Sequence, residues 1–388
     1  MGILIAVIVL IVYGSLYPWT FEARHLSASP LYLLFHSWDV HSTPRRLLAD
    51  VAVNIAIYIP LGMSAHLAFR RFRSTLLEVV GPVMLGATLS GAVEMTQLFT
   101  PQRNCSTVDL ITNTVGSALG VFAGFAFALI ANLPVTGPEF RLRDRNAVAL
   151  LFCWFFFLVF PVFPVIALLV WRAKLLAFVH ASWISPVAAL LAAAEWLAVG
   201  RLLVAAGARR PAVWLVAFMF AIPVQIAIVD RNPAPADLVG AIFALVLFSA
   251  TSTHAKADRW SAITLIVAVA LRGLAPFHFS DSPQPFAWIP FAGLLAASPE
   301  SGVLTLLRKL FQYGASIWLL HRSGVGLARA AFLVAAVLAA IEALQTRIPS
   351  HVPEISDPLL ALLLWLGFLA LRLRPSVPEP ENLTGPRN

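Results

Sequence analysis

The sequence predicts an all-α fold: a polytopic transmembrane helical bundle of about 12 spans arranged as three four-helix repeats. Three observations carry that expectation. Of the 388 residues, 60% are hydrophobic and 12% charged, against about 45–50% and about 25% in soluble domains. The apolar residues suffice for about eleven or twelve helices long enough to cross a hydrocarbon core of about 30 Å, and lipid admits only helices or closed barrels across it. A polar pattern also returns at long intervals, in three corresponding loops.

The spans are bounded by charged or Pro-rich breaks. The first, 2–19, has no cationic leader segment before it and no small-x-small cleavage site after it, so it reads as a retained helix. The second and third, 47–69 and 78–98, are separated by Arg70-Arg71-Phe72-Arg73, and the fourth, 108–132, opens with Asp109, an acid well placed at a helix N-terminus. Spans at 147–171, 177–199, 211–229 and 237–252 form a middle group; 260–275, 303–320, 327–345 and 356–371 form a last one. The apolar stretch 276–302, with Trp288-Ile289-Pro290-Phe291, is not a span, and reads as a re-entrant or interfacial segment. The Pro- and Glu-rich end from Pro375 to Asn388 reads as a disordered tail.

Charge orients the bundle. With alternating spans, 16 of the 27 Lys and Arg fall in one set of loops, and the positive-inside rule puts that set and both termini in the cytoplasm. The net charge of +8 is therefore topological. No basic stripe with interleaved aromatics points to nucleic acid. Cys105 and Cys153 form no CxxC motif and no disulfide framework. His25, His36 and His41 lack the spacing of zinc ligands and read as solvated loop residues, so no metal is expected. Gly116, Gly120 and Gly124 recur every four residues and read as a packing stripe.

Gln97, Arg103 and Asp109 follow one another at six-residue steps; Gln225, Arg231 and Asp237 repeat the spacing, and Gln345, His351 and Asp357 repeat it with His in place of Arg. Glu94 and Glu342 both stand three residues before their Gln, where the middle copy has Ile222, and Pro18-Trp19 is echoed by Pro276-Phe277. These matches divide the chain into a four-helix unit at 1–146, a degenerate middle unit at 147–259, a second such unit at 260–371 and a cytoplasmic tail at 372–388.

The candidate site follows from the same residues. Glu94 and Gln97 share a helix face, and a carboxylate near a span end is costly unless it faces protein, a cavity or a partner. Arg103 offers a countercharge, Asp109 and Asn113 form a polar face on the fourth span, and Asp50, Asn54 and Tyr58 form another on the second. The expected ligand-binding set is Asp50, Asn54, Glu94, Gln97, Arg103, Asp109, Asn113, Glu342, Gln345, His351 and Asp357, gathered in one cleft at the outer face.

The run Asp50-Val-Ala-Val-Asn54-Ile-Ala-Ile-Tyr58-Ile-Pro60-Leu61-Gly62, with Glu94-Met-Thr-Gln97, Arg103 and Asp109-Leu-Ile-Thr-Asn113-Thr-Val-Gly116, resembles the VanZ-like membrane family over about residues 10–130. Residues 276–371 resemble it more loosely: His351 replaces Arg, Pro358 stands where Leu110 would, and Lys309-Leu-Phe-Gln312-Tyr313-Gly314 replaces the Asn-containing second helix. The resemblance implies a bacterial cell-envelope protein of the cytoplasmic membrane, in a family whose founding member is associated with low-level teicoplanin resistance; it implies no secure biochemical activity. The residues support a non-enzymatic protein that binds or moves a lipid-linked headgroup or an amphiphilic glycopeptide, with membrane lipids or envelope precursors as partners. Two alternatives stay open: a hydrolase or transferase on lipid-linked sugar or phosphate, with Glu94 as base and Arg103 as clamp, and a secondary transporter. GxSxG, P-loop and GxGxxG motifs are absent from the sequence, and no cofactor is expected.

Overall fold

The computed structural model describes residues 2–38, 44–101, 105–132, 144–160, 164–165, 167–181, 184–229 and 231–372, and is helical with no strand among them. The expected tail at Pro375–Asn388 and the candidate Arg103 lie outside the described residues.

The N-terminal group comprises α1 (Gly2–Ser15), the short α2 (Pro30–His36), α3 (Pro44–Phe69), α4 (Thr75–Gln97) and α5 (Thr107–Asn132). The glycine stripe lets α5 lie directly on α3: a Cβ on Gly116 would sit 2.5 Å from the Ile55 carbonyl oxygen, and one on Gly120 would sit 2.3 Å from that of Ile59. Leu4, Ile11, Tyr58, Leu61 and Ala65 form a small core of its own.

The middle group is α6 (Arg145–Val159), α7 (Leu168–Val179), α8 (Pro186–Ala206), α9 (Pro211–Met219), α10 (Ala221–Val224) and α11 (Pro235–Thr251). Here the expected boundaries at 147–171 and 177–199 are corrected. α6 stops at Val159, α7 is a separate helix with no buried residue, and α8 begins only at Pro186. Proline supplies the reason: Pro161 and Pro164 follow α6 without an N–H to continue its ladder. Pro186 opens α8 behind the Ser185 side chain, which accepts the Ala188 N–H.

The last group is α12 (Ala257–Leu274), α13 (Ala292–Ala296), α14 (Pro299–Arg322), α15 (Leu327–Gln345) and α16 (Ser356–Arg372). Of the 276–302 stretch, residues 276–291 are irregular, and α13 and the first turn of α14 take up most of the rest. The irregular part lies along the loop between α15 and α16, where Ser280 N–H donates to Arg347 O (2.7 Å), Gln284 N–H to Thr346 O (2.7 Å) and Ala287 N–H to Pro353 O (2.9 Å). Protein thus satisfies backbone that no helix pairs. The middle and last groups share one large core, including Trp154, Trp196, Phe248, Leu265, Phe311 and Trp318. At one end of it the Asp258 carboxylate accepts from Arg201 Nε (2.6 Å) and Arg322 Nε (3.1 Å), joining α8, α12 and α14.

Among the described residues, five helices are long and apolar enough to cross a membrane, over Asp50–Phe72, Thr75–Gln97, Thr107–Phe125, Pro186–Ala206 and Leu327–Gln345. Shorter apolar helices run over Gly2–Ser15, Arg145–Val159, Pro211–Ala227, Pro235–Thr251 and Ser356–Leu369. α14 is as long as the five but carries Arg308, Lys309 and Gln312 within a largely buried helix. That makes it the polar spine of an otherwise apolar assembly.

Candidate functional site

The Glu-x-x-Gln pairs do the same thing at both ends of the chain. At the end of α4, Glu94 Oε2 accepts the Ser106 N–H at 2.8 Å, and Gln97 Nε2 donates to Ser15 O at 2.8 Å. At the end of α15, Glu342 Oε2 accepts the Glu354 N–H at 2.8 Å, and Gln345 Nε2 donates to Gly273 O at 2.8 Å. In each case the carboxylate reaches a backbone N–H twelve residues downstream, and the amide ties the helix to the end of the group's first long helix. All four side chains are buried. Each pair is therefore a clasp on the polar loop, and each side chain has at least one atom committed to backbone.

In the N-terminal group the clasp closes over Tyr58, Ser90, Asp109 and Asn113. The Tyr58 hydroxyl is buried without a hydrogen-bond partner among the described residues and interacts electrostatically with Ser90, Glu94 and Asp109. Asn113 Nδ2 donates to Ser90 Oγ at 2.9 Å, while Asn113 Oδ1 has no hydrogen-bond partner among the described residues. The half-buried Asp109 receives the Ser106 hydroxyl oxygen as acceptor for its own N–H at 3.3 Å. Asn54 is half-buried on α3, and Asp50, near its start, is exposed. Burial first, and then the Glu94 and Asp109 carboxylates, push the Cys105 thiol up to about 11. At neutral pH that thiol is protonated and a poor nucleophile.

In the last group the polar residues line a cavity of about 340 Å³ between α12, α14, α15 and the start of α16. Asp357 is held by Lys309 Nζ (2.5 Å) and the Tyr313 hydroxyl (2.6 Å), with Glu342 beside it. Glu354 Oε2 accepts the Gly293 N–H at 3.2 Å. His351, the stand-in for Arg103, is on the cavity wall with Gln345, Arg272 and Arg308. Arg308 Nε reaches back to Glu195 on α8 at 3.2 Å, and Gln312 Nε2 shares that carboxylate oxygen at 2.5 Å.

The middle copy of the pattern meets this cavity from behind. Arg231 and Arg308 both lie over the ring of Phe157, at 4.9 and 5.5 Å from its centroid. Burial pushes the Arg231 guanidinium down to about 10, with Asp237 opposing that shift and Arg308 adding to it; the group stays charged at neutral pH. Asp237 caps its own helix by accepting the Ala234 N–H at 3.1 Å.

The eleven expected residues therefore divide. Glu94, Asp109 and Asn113 gather around Tyr58; Glu342, Gln345, His351 and Asp357 line the cavity, and none of the six described N-terminal candidates is among its lining residues. Among the described residues the expected set thus falls in two clusters. The cause is packing: the N-terminal helices close on their own core, whereas α14 is buried with the middle group. Sequence reasoning did not select Arg272, Arg308, Lys309 or Glu195 as site residues. The available signal was the density of charge and amide on α14, a costly composition for a helix in an apolar bundle.

No curated protein and no solved structure matches the chain. Residues 1–130 match the family model described as VanZ/LLP1. With its apolar helices of membrane-crossing length, the protein is a membrane protein that is VanZ-like over that stretch.

Proposed function

We propose that the protein is a multi-pass protein of the bacterial cytoplasmic membrane that binds or moves the polar headgroup of a lipid-linked envelope precursor, or of an amphiphilic glycopeptide such as teicoplanin, at the outer face. The observation that carries this reading is the charged cavity itself. Arg272, Arg308, Lys309, Glu342, Glu354 and Asp357 converge on about 340 Å³ inside an apolar bundle. Charges gathered in such surroundings are expensive unless a partner or a function retains them. The loops bearing this cluster lie on the side opposite the Arg-rich loops in the charge-based topology, which supports an outward opening.

We also read the N-terminal and last groups as two copies of one four-helix unit, with a degenerate copy between them. The support is the pair of matching clasps, in which the Glu accepts a backbone N–H at the same spacing and the Gln donates to a backbone carbonyl at the end of the group's first long helix. The test of function is complementation. In a deletion strain, the wild-type gene restores the profile of lipid-linked envelope intermediates and the susceptibility to teicoplanin, whereas Arg308→Ala and Asp357→Ala at equal membrane abundance do not. Full restoration of both traits by both variants overturns the proposal.

A further inference from the structure

The charged cavity has a neighbour. A second cavity, of about 350 Å³, is lined entirely by apolar side chains from α7, α9, α10 and the start of α11, among them Leu175, Val216, Met219, Ile226 and Leu238. The two share no lining residue, and a short segment of chain runs between them. Leu238, on the apolar wall, follows Asp237, whose carboxylate interacts with Arg231 and Arg308, and Arg308 lines the charged cavity. The segment 231–238 thus has an apolar space on one side and three guanidinium groups, from Arg231, Arg272 and Arg308, on the other.

An inventory of donors and acceptors says what the charged side lacks. Asp357 is satisfied by Lys309 and Tyr313, Glu342 and Glu354 each accept a backbone N–H, and Glu195 is shared by Arg308 and Gln312. Among the described residues, Arg272 closes no salt bridge and donates no hydrogen bond, although its guanidinium carries five N–H donors. The buried Arg231 Nε has no acceptor either. What is missing is an acceptor-rich anion, and the planar fork of arginine suits phosphate oxygens.

We propose that these two cavities form one amphiphile site, in which the phosphate of an anionic lipid accepts from Arg272 and Arg308 while an acyl or prenyl chain of the same molecule occupies the apolar cavity beneath α7. This rests on the headgroup-binding reading above and narrows it to a phosphate-bearing lipid. α7 suits the second role because its apolar side chains are not buried against protein: Leu168 and Leu169 are exposed at 76% and 80%. Its Lys174 Nζ is anchored on Ile228 O at 2.6 Å, beside the 231–238 segment.

The test uses the full-length protein in detergent, mixed with phosphatidic acid and with diacylglycerol of the same chains, and reads retained lipid by native mass spectrometry. Wild type retains phosphatidic acid over diacylglycerol. Arg272→Gln, at the exposed mouth of the cavity, weakens retention by about tenfold, the size expected for one lost charge-assisted contact, and Arg308→Lys falls between the two. Val216→Trp, which fills the apolar cavity from its lipid-facing side, weakens retention of phosphatidic acid and leaves binding of inorganic phosphate, measured by calorimetry, unchanged. Equal retention of both lipids, or no effect of Arg272→Gln, overturns the phosphate assignment. Loss with Arg272→Gln but none with Val216→Trp marks a site for a free anion, which removes the lipid tail and leaves headgroup binding in cells to be decided by the complementation test.

Discussion

The two ends of the chain build the same clasp and put different chemistry beneath it. In the N-terminal group a tyrosine, Tyr58, stands under Glu94 and Asp109 with Asn54 one helical turn before it; in the last group Tyr313 stands under Glu342 and Asp357 with Lys309 one turn before it. The change from amide to ammonium recruits Asp357 into an ion pair. Arg308, the preceding residue, turns to the middle group's Glu195. On the N-terminal side, α3 is instead pressed against α5 through glycines, which leaves no room for long side chains at that face. The comparison teaches that one loop-holding device serves either a tightly closed helix pair or an open charged cavity, according to what the second long helix carries.

The largest expected effect breaks the closed side. Gly120→Val places a side chain where even a Cβ meets the Ile59 carbonyl oxygen at 2.3 Å. It is expected to cost about 3 kcal/mol or more, since close-packed interiors tolerate added volume poorly, and to appear as loss of folded protein in thermal unfolding of the detergent-solubilised chain. A variant that unfolds like wild type would show that α3 and α5 are not in this contact.

The second test asks whether the clasps are equivalent. Glu94→Ala and Glu342→Ala each remove an acceptor from a buried backbone N–H, at an expected cost of about 2 kcal/mol apiece. Similar losses in the two variants, read by thermal unfolding, sharpen the likeness. A loss confined to one of them would mean that the shared geometry is not a shared structural role.

The smallest effect on stability carries the greatest information on function. Lys309→Asn gives the last group the residue type of Asn54. Because the Lys309 side chain is 28% exposed, the ion pair is partly screened, and the expected loss of stability is about 1 kcal/mol. Complementation by this variant in the deletion strain should nevertheless fail, because Asp357 loses its cationic partner and keeps only Tyr313 and the neighbouring Glu342. Full complementation would place the function outside the cavity.

Much of this architecture was legible from residues alone. Apolar runs of the right length located α3, α4, α5 and α15 to within a few residues, because span length and backbone hydrogen bonding in lipid are local demands. The Glu-x-x-Gln spacing identified buried polar side chains at both ends, since a carboxylate at such a position must face protein or a cavity. The break between α6 and α8 was misplaced, inside α7, because apolar residues flank the prolines, so hydropathy alone does not locate where one helix stops and the next begins.

The sequence by itself determined that the chain is a bundle of apolar helices and that its rare polar groups are turned inward, because each helix answers for its own backbone and its own transfer into lipid. Only the tertiary structure decided that Arg308 and Lys309 of α14 meet Glu195 of α8 and Asp357 of α16 beside a cavity that Arg272 of α12 also lines. Which polar faces meet depends on the crossing of helices distant in the chain, and that crossing is set by side-chain volumes such as the glycines of α5, which no single segment contains.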